Sequence, residues 1–144
     1  MDRDEFEKLR DLPGKTINGD ILLQSSKESS PLLSTTVSIM NNAGIEAKLR
    51  IELNEMTESK TLNVWIPGIG AICRLEVDAK PHKPYGRSHK HSLELEDCPL
   101  PHINLSRNII DRSDLTGKSI KEVFIDFCQK ANIEHLGDFK EPTQ

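Results

Sequence analysis

Between residues 45 and 53 the chain alternates without a break: Ile45, Ala47, Leu49, Ile51 and Leu53 are apolar, and Glu46, Lys48, Arg50 and Glu52 separate them. A period of two sends the two sets to opposite sides of an extended strand, whereas a helix of 3.6 residues per turn would scatter the apolar positions around its circumference. A strand with one apolar and one charged face belongs in an antiparallel sheet covered on one side. The same pattern recurs on both flanks. Leu33, Thr35, Val37 and Ile39 precede it across the turn Asn41-Asn42-Ala43-Gly44, which makes a hairpin. Leu62, Val64 and Ile66 follow a polar loop at 54–60, and Pro67-Gly68-Ile69-Gly70 turns the chain into a strand from Ile72 to Ala79. There Cys73, Leu75, Val77 and Ala79 form the apolar side, with Arg74, Glu76, Asp78 and Lys80 opposite. A weaker strand at Ile21 to Leu23, ahead of a Ser-rich loop at 25–31, and another from His89 to Glu96 bring the expected total to five or six.

Helical spacing appears only near the ends. Phe6 and Leu9 stand among charges ahead of Pro13, which marks a short helix over residues 2–12. Near the C-terminus Ile120, Val123, Phe124, Phe127 and Cys128 fall on one stripe, and Ser119 with Glu122 has the spacing of a capping box, with Thr116 as the alternative cap. Residues 97–113, with Pro99 and Pro101, read as an irregular crossing, with a short extended piece at Ile103 to Leu105. No internal repeat is apparent. The expected fold is a two-layer α+β domain spanning 1–144: an antiparallel meander with a short N-terminal helix and a C-terminal helix on one face.

A chain of 144 residues, with 29% charged and 35% hydrophobic side chains, is long and apolar enough for one modest core, so disorder is excluded. Cys73, Cys98 and Cys128 lack metal-type spacing, and an odd number speaks against a secreted disulfide framework. With no apolar run of membrane length and no signal-like N-terminus, a cytoplasmic setting is expected. The net charge of −4 argues against a general nucleic-acid coat, without excluding a local phosphate site.

Against that acidic balance, residues 80–91 (Lys80-Pro81-His82-Lys83-Pro84-Tyr85-Gly86-Arg87-Ser88-His89-Lys90-His91) carry four Lys or Arg, three His and no carboxylate. Histidine titrates near neutrality, so imidazoles beside fixed cations suit proton transfer, metal ligation or anion binding. Alternation places His89 and His91 on the face of Leu93 and Leu95. Pairing apolar face with apolar face then sets Leu75 opposite Leu95, Val77 opposite Leu93 and Ala79 opposite His91, with Asp78 turned away. The loop 82–88 would bring His82 to the same end of the sheet.

Three functions follow from this placement. In the first, His82, His89 and His91 catalyse metal-independent cleavage of RNA or another phosphodiester, without a cofactor, and Lys80, Lys83, Tyr85 and Arg87 bind the substrate. In the second, His82, His89 and His91 ligate a metal with His102 as a fourth ligand, although the surrounding cations disfavour it. In the third, the chain is a non-catalytic, inhibitor- or antitoxin-like module that binds a protein partner through its sheet edge or acidic surface. Set against any site at all is the reading in which the His-x-His pair merely bonds backbone carbonyls. A membrane is not among the expected partners, and an exposed sheet edge leaves self-association open.

The run from Arg74 to His82, with Pro84, Gly86 and His89-Lys90-His91, resembles a small bacterial family of domains of unknown function found in mobile and defence-associated regions. The resemblance continues through Leu100-Pro101 into 114–133 and implies that Pro81, His82, Pro84, Gly86, His89 and His91 form one motif. The family supplies this pattern and no activity; a toxin-like or defence-like role for the His-centred pocket is the expectation set beside it. Asp78 and Lys80 depart from the uncharged residues expected there, and the loop from His82 to Gly86 is shorter.

Overall fold

The computed structural model describes residues 1–25, 30–79, 88–92 and 109–142. Helix α1 covers Arg3–Asp11, begins where the Asp2 carboxylate accepts from the Glu5 N–H, and buries Phe6 and Leu9. It stops at Leu12, whose extended backbone is what a following proline requires. Next come β1 (Lys15–Asn18), β2 (Ile21–Leu22), β3 (Gln24–Ser25), β4 (Leu32–Ile39), β5 (Ala47–Asn54), β6 (Lys60–Ile66), β7 (Gly70–Val77), β8 (His89–Ser92) and β9 (Ile109–Asp111). A short 3-10 turn at Ser113–Leu115 leads to α2 (Ile120–Lys130), then β10 (Ile133–Leu136) and β11 (Phe139–Lys140).

Strands β3 to β9 form one sheet in chain order, every neighbour antiparallel. The alternation does what its period demands. Ala47, Leu49 and Ile51 on β5, Leu62 and Val64 on β6, and Cys73, Leu75 and Val77 on β7 are buried on one side, where Phe6 and Leu9 of α1 and Val123, Phe124 and Cys128 of α2 join them in a single core. Ser119 caps α2 as its sequence indicates, accepting from the Glu122 N–H and donating to the Glu122 carboxylate. The α+β class and the one-sided helix layer therefore hold.

The strand count does not, because the expected five or six become seven in this sheet. Additional pairing lies outside it as well. β1 pairs parallel with β10, Lys15 facing Ile133, and β2 pairs parallel with β11, Ile21 facing Phe139, at the same residue offset. Each partner in this crossing is a helix, a left-handed residue (Gly14 or Asn132), a four-residue strand, a Gly-Asp step and a two-residue strand. The sequence shows no repeat, yet the backbone contains this correspondence. Its centre is close-packed: a Cβ on Gly137 would lie 2.4 Å from the Gly19 carbonyl oxygen, and the Asp138 N–H donates to the Asp20 carboxylate. Among the described residues, no helix is long and apolar enough to cross a membrane.

Candidate metal centre

Strand β8 meets β7 in a register that the apolar pattern does not reveal. Leu75 lies opposite Lys90, Glu76 opposite His89, and Arg74 opposite His91. The expected pairs of Leu75 with Leu95, Val77 with Leu93 and Ala79 with His91 are thereby corrected. The difference is odd in residue number, and an odd slip turns every side chain of a strand to the other face. His89 and His91 consequently do not extend the apolar row. They stand on the polar side of the sheet with Arg74 and Glu76, while Lys90 and Ser92 face the core layer.

Directly opposed residues of an antiparallel pair bring their Cβ atoms within about 5.5 Å, so Glu76 meets both imidazoles of the i, i+2 pair. Glu76 Oε2 lies 2.7 Å from His89 Nε2 and 3.6 Å from His91 Nε2. The two rings stand edge to face, centroids 4.8 Å apart at 86°. Arg74 Nε reaches the other carboxylate oxygen at 3.5 Å. His89 is 0% exposed and His91 1%, whereas the Glu76 side chain keeps 25% of its surface. The His91 imidazole, and then the charges of Arg74, His89 and His91, hold the Glu76 carboxyl down at about 2 against the opposing effect of burial. By distance, His89 is the closer partner of that oxygen. The carboxylate is thus ionised at any physiological pH.

One ligand atom from each of Glu76, His89 and His91 lies within 4.8 Å of the other two. A first-row divalent ion holds nitrogen and oxygen donors at about 2.0–2.2 Å, which separates them from one another by roughly 3 Å. The two carboxylate–imidazole distances bracket that value, so modest ring and carboxylate rotations would accommodate an ion. Two imidazoles and a carboxylate on one face are the donor set of the 2-His-1-carboxylate centres, which leave coordination positions open.

Comparison with family models, curated proteins and solved structures found no match to this chain. Its chemistry must be read from the residues themselves.

Of the sequence candidates, the structure brings His89 and His91 together. His82, Lys80, Lys83, Tyr85, Arg87 and His102 lie outside the described residues, so the proposed convergence of His82 on this end of the sheet and the fourth ligand His102 do too. Glu76 is the residue that sequence reasoning missed. Alternation had already placed it on the polar face, and only the correct register was needed to set it beside the histidines. Asp78 takes part in a different cluster. Its carboxylate pairs with Lys60 Nζ at 2.7 Å and accepts from the Gly117 N–H, and its own N–H donates to Ser88 Oγ, which bonds Thr116. This cluster fixes the end of β7 against the loop before α2 and the residue preceding β8.

Proposed function

We propose that the protein binds one divalent first-row metal ion through Glu76, His89 and His91 and that the open positions of that ion are its functional centre. The observation that carries the reading is the carboxylate oxygen seated between two fully buried imidazole nitrogens contributed by the adjacent strand. Neutral imidazole and carboxylate suit zinc, iron, manganese or cobalt in preference to the soft-ligand metals. A three-residue set leaves room for water or a substrate oxygen, and an ion there supplies Lewis-acid activation. Arg74, paired with Glu76, steadies the carboxylate and adds a positive charge suited to an anionic reactant.

Metal-free RNA cleavage is less well supported by this geometry. General acid–base catalysis requires both imidazoles within hydrogen-bond reach of a substrate, and side chains 0% and 1% exposed do not present themselves to a ribose-phosphate chain. A toxin-like or defence-like role on a phosphodiester requires that the substrate reach the ion on the side of Glu76, whose side chain keeps 25% of its surface, with the ion in place of the second histidine's acid role.

Elemental analysis of protein purified without added ions, beside Glu76→Gln and His89→Ala variants checked for folding, tests the proposal. About one ion per chain, lost in both variants, is expected. Metal-free wild-type protein that also takes up no ion on dialysis against zinc or manganese would overturn it. RNA cleavage that persists in chelator and disappears in a His89→Ala/His91→Ala variant would restore the metal-free reading instead.

A further inference from the structure

On the other side of the sheet, between the apolar face of β7 and the two helices, lies a pocket of about 70 Å³. Its wall is aliphatic and aromatic, Leu75 among its residues, but its charged members are Arg10, Lys15, Lys90, Arg112 and Lys130, with no carboxylate among them. In a chain of net charge −4, an apolar pocket whose charged wall is wholly cationic requires explanation.

Lys15 provides it. The side chain is 2% exposed, and its ammonium donates to the carbonyls of Arg10 at 2.7 Å and Leu12 at 2.6 Å, at the C-terminal end of α1. These contacts use two of three donors. No carboxylate lies within ion-pair distance of it among the described residues, in contrast to Arg112, which bonds Asp114 and Asp126, and Lys130, which bonds Asp126. Burial accordingly pulls the ammonium down to about 8, with Asp11 opposing from a distance. A buried charge without a counter-charge is unfavourable unless something pairs with it.

We infer that the pocket binds a small free carboxylate, its hydrocarbon end against the sheet and its head group on the third donor of Lys15. The size of the space limits the ligand. The space is roughly half that of the ~150 Å³ cavity that admits benzene, which favours a short acid of about two to four carbons over an aromatic or long fatty acid. The anion supplies the charge that Lys15 lacks, and no carboxylate lines the pocket to repel it.

Sodium butyrate, n-butanol and n-butylammonium chloride titrated into wild-type protein, followed by the methyl resonances of Ile72, Leu75 and Ile133, test the inference without a mutation. Saturable shifts with butyrate, at least tenfold weaker with butanol and absent with butylammonium, are expected. Equal affinity for butanol, or no saturable shift with butyrate, would overturn it. A Lys15→Met variant separates the binding role from that of a cap on α1. Loss of butyrate affinity by tenfold or more supports binding, whereas a folded variant with lower Tm and unchanged butyrate affinity would make Lys15 a cap alone and overturn the inference.

Discussion

Removing the Asp78 carboxylate will cost the fold a large share of its stability. The Lys60–Asp78 pair is 2.7 Å long, with side chains only 8% and 11% exposed, and the same carboxylate accepts from the Gly117 N–H ahead of α2. Deleting one partner of a buried pair leaves the other charge uncompensated, typically at about 3–5 kcal/mol. Asp78 also sits at φ 55°, a left-handed conformation that Asp tolerates and Ala does not, which adds roughly 1 kcal/mol. Asp78→Ala should therefore lose about 4–6 kcal/mol, to be set against the ~5–15 kcal/mol total of an ordinary domain. Asp78→Asn retains the backbone tolerance and an acceptor for Gly117, so it should lose roughly half as much. The assay is urea unfolding followed by circular dichroism, with a Lys60→Met/Asp78→Asn cycle. The double variant should be more stable than the sum of the singles by ~1–3 kcal/mol, since the second change removes the stranded charge. A loss below about 1 kcal/mol for Asp78→Ala, or strict additivity in the cycle, would refute this reasoning.

Three further outcomes follow from the same packing and charge effects. Gly137→Ala places a methyl group against the Gly19 carbonyl at a backbone angle, φ 156°, that favours glycine, and should lose roughly 2–3 kcal/mol in thermal unfolding; a neutral result would contradict the close crossing of the two Gly-Asp steps. Bonds from Arg112 hold the Asp114 carboxyl below its usual range, and for Asp126 they outweigh, with Lys130, the raising effect of burial. A depressed carboxylate contributes stability above its unfolded pKa that is lost as pH falls through the folded value, so Arg112→Gln should flatten the decline in stability below about pH 4, measured by urea unfolding at several pH values; an unchanged acid limb would contradict it. Burial pushes the Cys128 thiol up to about 12, so iodoacetamide at pH 8 should leave Cys128 unmodified in native protein and alkylate it in urea, as read by peptide mass spectrometry. Modification at the rate of a free thiol in native protein would contradict the burial.

The sequence discloses what is local. Ser119 and Glu122 lie three residues apart, so their cap can be read directly, and so can the hairpins at Asn41 to Gly44 and Pro67 to Gly70, whose short turns fix the pairing of the strands they join. Residues 78–88 separate β7 from β8, too many for the length of the connection to specify the register. Matching Leu75 with Leu95 satisfied the apolar pattern, but the native pairing of Leu75 with Lys90 differs by an odd number and moves both histidines to the side of Glu76. The site was therefore half legible: its imidazoles stand out by composition, but its carboxylate depends on a long-range register. The parallel pairs at Lys15 with Ile133 and Ile21 with Phe139 join opposite ends of the chain through strands of four and two residues, too short for alternation to identify.

The proposal that Glu76, His89 and His91 bind a metal ion is tested most directly by titrating chelator-treated protein with cobalt(II) and following its visible absorption, which reports directly bound nitrogen and oxygen donors. One equivalent should saturate the spectrum in wild-type protein, and Glu76→Gln, His89→Ala and His91→Ala should each weaken binding by tenfold or more while remaining folded. A wild-type spectrum that never departs from that of aqueous cobalt, or one unchanged by all three substitutions, would contradict a metal centre at this site.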